Sequence, residues 1–80
     1  MLENIDKLIL SNQRWVSDRA EAAKAIFQQY EKGNITPKTY ETLLRRLIDR
    51  RTLDMDFDPR FQKLREELVS CIEILLDCIR

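Results

Sequence analysis

The stretch YEKGNITPKTYETLL, residues 30 to 44, contains the signals that end one helix and begin another. Gly33 can adopt the left-handed backbone conformation that closes a helix without steric cost. Thr36 is a favourable N-cap residue, and Pro37 is a favourable first residue of the helix that follows. The stretch therefore predicts a tight turn between two helices.

Upstream of this turn, apolar residues recur at alternating steps of three and four. The pattern runs from Leu2 through Ile9, Val16 and Ala23 to Tyr30, which is typical of one face of an amphipathic helix. The sequence predicts a first helix over about residues 2–32.

Downstream of the turn, leucine and isoleucine repeat at helical spacing and predict a second helix over about residues 36–51. The segment TLDMDFDP alternates apolar and acidic residues but has no second strand to pair with, so we interpret it as an extended acidic linker. An apolar third helix is predicted over about residues 59–79. The predicted fold class is all-α, with residues 1–80 forming a single helical domain in which the long first helix makes an antiparallel hairpin with the second.

The three predicted helices differ in length, which affects how they can pack. At 1.5 Å per residue the first helix spans about 45 Å and the second about 24 Å. If the second helix covers only the C-terminal half of the first, the apolar residues near the N-terminus project beyond it. Either the first helix bends near Ser11 and Asn12, or another chain covers these residues. We favour the second alternative, in which oligomerisation completes the bundle.

The third predicted helix is apolar on nearly all sides. Nine of the twelve residues from 68 to 79 are apolar, which exceeds what a helix with one buried face requires. The helix is therefore either a contact surface for a partner or the central core helix of the chain, and both can be true. The predicted protein interface comprises Leu2, Ile5, Ile9, Asn12, Trp15, Arg19, Ile72, Leu76 and Ile79, with Asn12 and Arg19 as polar residues that fix the register.

The composition offers little material for catalysis or metal binding. The chain contains no histidine and two cysteines, and the apolar surroundings of Cys71 and Cys78 raise a thiol pKa rather than lower it. Asp54, Asp56 and Asp58 have the spacing of the first ligands of a calcium-binding loop, but the glycine and glutamate that such a loop requires are missing. The sequence predicts no enzyme activity, no cofactor and no metal site.

A basic run, RRLIDRR, is the main argument for an alternative function. Arg45, Arg46, Arg50 and Arg51 could bind phosphate groups in a small nucleic-acid-binding or regulatory protein. However, cations are also favourable in the last turns of a helix, and Arg45 can pair with Glu41. Fourteen basic and fourteen acidic residues cancel, so no overall field attracts nucleic acid. Nucleic acid is therefore the less favoured partner.

Two features bear on location. The N-terminal sequence MLENIDKLIL lacks the pattern of a secretory signal, and no apolar run reaches the length of a membrane span. We expect a cytoplasmic protein without membrane contact, located in the host cytoplasm or the virion if a phage encodes it, since the chain has the general look of a small phage or mobile-element protein.

The segment IFQQYEKGNITPKTYETLLRRLID, residues 26–49, resembles the short helical hairpins called SHOCT domains. The resemblance rests on Gly33, Ile35, Thr36, Tyr40, Leu43 and Leu44, whereas Lys38 and Thr39 replace the acidic residues usual after the turn. It implies an oligomerisation or docking element without catalytic activity. The sequence thus predicts a non-enzymatic interaction module that forms a homo-oligomer or docks on a larger protein.

Overall fold

A computed structural model describes residues 3–49 and 59–79, with only the backbone described for Arg60. These residues form four α-helices and no strand. They are α1 (Glu3–Ile9), α2 (Arg14–Glu31), α3 (Pro37–Leu47) and α4 (Gln62–Asp77), with a 3₁₀ turn at Pro59–Phe61 leading into α4. The all-α prediction is confirmed.

The predicted first helix is wrong as a single element, because the chain breaks between Ile9 and Arg14. Polar side chains satisfy the helix ends at this break. The Gln13 side chain accepts a hydrogen bond from the Val16 backbone N–H at 2.8 Å and caps α2. The Ser17 hydroxyl donates to the Ile9 carbonyl at 2.8 Å, across eight residues, and satisfies the end of α1.

This break lets α1 fold back onto the rest of the chain. Ile5 and Leu8 are buried in the core, and Lys24 of α2 forms an ion pair with Asp6 of α1 at 2.6 Å. The expectation that the apolar residues near the N-terminus project beyond the second helix is therefore wrong for Ile5 and Leu8, whereas Leu10 is 83% exposed. A short helix that bends back buries them within one chain, whereas a continuous helix would have left them uncovered.

The turn between α2 and α3 forms as predicted. Gly33 has a φ of +76°, in the left-handed region. The Asn34 backbone N–H donates to the Gln29 carbonyl at 3.0 Å, which closes the end of α2. The Thr36 hydroxyl accepts from the Thr39 backbone N–H at 3.1 Å, and Pro37 is the first residue of α3.

The boundaries of the other helices differ from the prediction in detail. α3 ends at Leu47 rather than near residue 51, and α4 begins at Gln62 after the 3₁₀ turn. Phe61 stands at the N-cap of α4 without a side-chain hydrogen bond. The predicted acidic linker, including the predicted cap Asp58, lies outside the described residues.

α4 packs against α1, α2 and α3, and α2 likewise contacts the other three helices. The core lies between these helices, and contacts with three neighbours account for the many apolar residues of α4. Tyr40 of α3 is fully buried, and its hydroxyl donates to the Leu75 carbonyl of α4 at 2.7 Å. The buried side chains are Ile5, Leu8, Trp15, Val16, Ala20, Ala23, Phe27, Tyr40, Leu44, Leu68, Cys71, Ile72, Leu75 and Leu76.

Candidate binding surfaces

The residues predicted to form a protein interface do not lie on one exposed surface. Ile5, Trp15, Ile72 and Leu76 are buried within the chain. Ile9, Arg19 and Ile79 are half-buried, Asn12 is exposed, and Leu2 lies outside the described residues. The four buried side chains belong to the core of the folded chain, so a partner of this fold must contact other residues.

Trp15 shows how a predicted interface residue is used inside the fold. The Arg19 guanidinium lies 4.0 Å from the centre of a Trp15 ring, and the Arg65 guanidinium of α4 lies 5.7 Å from it. Arg19 also donates to the Trp15 carbonyl at 3.3 Å. Cation–π contacts of this kind stabilise partly buried arginines. They link the first turn of α2 to α4.

A groove of about 460 Å³ lies between α1 and α4. Its apolar part comprises the buried side chains of Leu8 and Cys71 and the side chain of Ile74, which is 50% exposed. Of the described large hydrophobic residues, only Ile74 and Leu10 are this exposed. The groove therefore combines an apolar centre with access to solvent.

Charged residues of both signs surround this apolar centre. Lys7 of α1 and Lys63 of α4 supply positive charge, and Glu66 and Glu67 of α4 supply negative charge. None of the four forms an ion pair within residues 3–49 and 59–79. Sequence reasoning missed these groove residues. The one sequence feature that could have indicated the groove is Ile74, an isoleucine that lies among the polar residues of α4.

The Cys71 thiol in this groove is poorly suited to nucleophilic chemistry. Burial raises its pKa, and the nearby Glu67 carboxylate raises it further. A raised pKa lowers the fraction of reactive thiolate at neutral pH. Cys78 is exposed, and its thiol donates to the Ile74 carbonyl at 3.7 Å. The predicted direction of the thiol pKa is confirmed for Cys71.

The arginines of the basic run are divided between two surfaces. Arg45 pairs with Glu41 at 2.9 Å and lines a depression of about 310 Å³ that also contains Glu73 and Asp77 of α4. Arg46 instead lines a separate depression of about 300 Å³ on the outer side of α3. Arg50 and Arg51 lie outside the described residues. Arg45 and Arg46 therefore do not form a single basic cluster.

The described residues contain no group of three or more histidine, cysteine, aspartate or glutamate side chains placed to hold a metal ion. None of the described helices combines the length and apolar character required to span a bilayer. The predicted aspartate spacing at residues 54, 56 and 58 falls outside the described part of the chain.

The fold defines a small all-α protein whose candidate surfaces are a groove of mixed charge and the outer side of α3. No protein-family model, curated protein or solved structure matches the chain.

Proposed function

We propose that the protein is a non-enzymatic assembly module that pairs with a second copy of itself through the groove between α1 and α4. The observation that carries this proposal is the balance of charges around the half-exposed Ile74. Two lysines and two glutamates border the same apolar centre without ion pairs among the described residues.

A surface of this kind is complementary to itself. In a two-fold symmetric dimer the same patch faces its copy, so that if residue i contacts residue j, then j contacts i. Lys63 and Glu67 are one helical turn apart on α4. When two α4 helices pack antiparallel, Lys63 of each copy can lie opposite Glu67 of the other. Two intermolecular ion pairs then lie near the two-fold axis, and Ile74 of each copy lies nine residues, or about 13 Å, farther along its own helix.

The size of the apolar centre limits the strength of this dimer. Among the described residues that line the groove, only Ile74 is large, apolar and substantially exposed. Interfaces with little buried area form weak or transient complexes. We therefore expect dissociation at micromolar or higher concentration, about 10⁻⁶ to 10⁻⁴ M.

The resemblance of residues 26–49 to SHOCT hairpins favours the same class of function, because it implies an oligomerisation or docking element. The proposed groove lies on α1 and α4, outside that hairpin. In this proposal the hairpin supports α4 from the opposite side through the buried Tyr40, rather than forming the contact itself.

The test is the molar mass by sedimentation equilibrium, from about 1 µM to about 1 mM protein. We expect the wild type to approach twice the 9.6 kDa of one chain, and Ile74→Asp to remain monomeric. Leu10→Asp is the matched control, because Leu10 is 83% exposed and does not line the groove. A wild type that stays monomeric throughout would contradict self-pairing, as would equal effects of the two substitutions.

Exchanging the charges of Lys63 and Glu67 tests whether the two α4 helices of the dimer pack antiparallel. Lys63→Glu and Glu67→Lys should each weaken the dimer, because each brings like charges together across the interface. The double variant restores opposite charges and should recover dimerisation. Because both residues are exposed, each variant should keep the wild-type helix content by circular dichroism. Failure of the double variant to recover would exclude the antiparallel arrangement of α4.

A further inference from the structure

The outer side of α3 presents a second surface, separate from the groove. Lys38, Thr39, Thr42, Leu43 and Arg46 line a shallow depression of about 300 Å³ there. All are exposed except Leu43, which is half-buried. Their spacing of one, three and four residues places them along one side of the helix.

Folding does not account for the two positive charges on this side. Neither Lys38 nor Arg46 forms an ion pair within the described residues. Glu41, the acidic residue of α3, is engaged with Arg45 instead. Lys38 also lies in the first turn of the helix, where the helix dipole disfavours a cation. Among the described residues, the two cations of this surface therefore have no ion-pair partner.

We infer that this outer side of α3 binds the phosphate backbone of double-stranded DNA, with Lys38 and Arg46 as the phosphate contacts. The two residues are eight positions apart, or about 12 Å along the helix axis. One strand of a duplex carries a phosphate about every 3.4 Å of axis, so this length spans about three phosphates. The two cations can thus contact different phosphates of one strand.

The hydroxyl group of Thr39 adds a neutral donor between the cations. The Thr36 hydroxyl donates to the Thr39 hydroxyl oxygen at 2.9 Å, which leaves the Thr39 proton available for a phosphate oxygen. Hydroxyl groups of threonine are frequent partners of phosphate in protein–DNA complexes. They position the backbone without reading the base sequence.

The surface fits a duplex better than a single strand. Proteins that bind single strands stack bases on exposed aromatic side chains. The depression on α3 contains none, and the aromatic residue of α3, Tyr40, is buried. An α-helix fits the major groove of B-form DNA, which is about 12 Å wide, whereas the major groove of duplex RNA is too narrow for side chains to read.

The test is the fluorescence anisotropy of a labelled DNA duplex of about 20 base pairs, titrated with the full chain at several salt concentrations. With two phosphate contacts, the affinity should fall roughly sevenfold between about 50 and about 150 mM salt. Lys38→Ala and Arg46→Ala should each weaken binding and each reduce the log–log salt slope by about one.

Arg14→Ala is the matched control, because it removes one exposed positive charge from α2. It should leave the affinity and the salt slope nearly unchanged. The inference would be overturned by an absence of binding at low salt, or by an effect of Arg14→Ala equal to that of Arg46→Ala. Equal affinity for a single strand of the same sequence would exclude the duplex geometry.

Discussion

Tyr40 of α3 contacts both α2 and α4. Its side chain is fully buried and its hydroxyl donates to the Leu75 carbonyl at 2.7 Å. The Tyr30 ring of α2 stacks on the Tyr40 ring with 4.3 Å between ring centres. One side chain thus joins three helices, through a ring contact on one side and a hydrogen bond on the other.

Replacing Tyr40 with phenylalanine should lower the free energy of unfolding by about 1 kcal/mol at neutral pH. The ring contact is retained, while the hydrogen bond to Leu75 is lost. The Leu75 carbonyl keeps a second donor, the Cys78 backbone N–H at 3.3 Å, which limits the loss. Urea unfolding measures the change. Tyr30→Phe is the control, because no hydrogen bond of the Tyr30 hydroxyl is present among the described residues; an equal loss there would contradict this account.

The same residue should make stability fall at alkaline pH. Burial raises the pKa of the Tyr40 hydroxyl well above its usual range. Above about pH 10 the unfolded chain loses this proton while the folded chain retains it. The contribution of the Tyr40 hydroxyl to the free energy of unfolding is therefore complete below about pH 10 and declines above it. The slope is about 1.4 kcal/mol per pH unit for one proton. The free energy of unfolding of the wild type and of Tyr40→Phe should be measured between about pH 8 and about pH 11. The difference between the two values should shrink as the pH rises. A constant difference over this range would exclude the effect.

At the scale of elements, the junction between α1 and α2 determines where the N-terminal residues pack. Ser17 is in the first turn of α2, yet its hydroxyl satisfies the carbonyl of Ile9 at the end of α1. Gln13 caps α2 at the same junction. The two side chains make a helix break favourable within a sequence whose apolar periodicity continues across it.

We expect Ser17→Ala to lower the free energy of unfolding by about 1 kcal/mol relative to Ser70→Ala. Both substitutions replace serine by alanine within a helix, so the gain in helix propensity is common to both. Of these two serines, only Ser17 has a hydroxyl that forms a hydrogen bond within the described residues. Urea unfolding of the two variants measures the difference, and equal stabilities would mean that the Ser17 hydroxyl does not hold the end of α1.

For the whole molecule, α1 is an essential part of the core. A chain of this size buries only about 60% of its unfolded surface, so each buried side chain represents a large share of the total stability. α1 contributes Ile5 and Leu8, which are 1% and 3% exposed. Removing either leaves a cavity that the other three helices cannot close without moving.

Ile5→Ala should therefore lower the free energy of unfolding by about 2 to 5 kcal/mol, against about 5 to 15 kcal/mol for a typical domain. Thermal unfolding followed by circular dichroism should show a large drop in midpoint. Ile74→Ala is the control, since that side chain is half-exposed, and it should change stability little at concentrations where the chain is monomeric. A small effect of Ile5→Ala would mean that α1 is not packed in solution as described.

Features that depend only on neighbouring residues can be predicted from the sequence. Gly33, Thr36 and Pro37 act through backbone conformation and hydrogen bonds within a few positions, so the turn between α2 and α3 could be predicted with its cap. The helical periodicity likewise indicated an all-α chain. Ser11 and Asn12 make a helix break one of two alternatives, but the apolar pattern continues through them and favours a longer helix.

Which apolar surfaces cover one another depends on the three-dimensional packing of the whole chain. Burial of Ile5 depends on contacts with residues far along the chain, which no local signal encodes. The depression that Arg45 shares with Glu73 and Asp77 exists only because α4 lies beside this side of α3. The groove around Ile74 likewise exists only because α1 folds back beside α4. Local capping acts over single turns of the helix, whereas packing depends on the free energy of the whole chain.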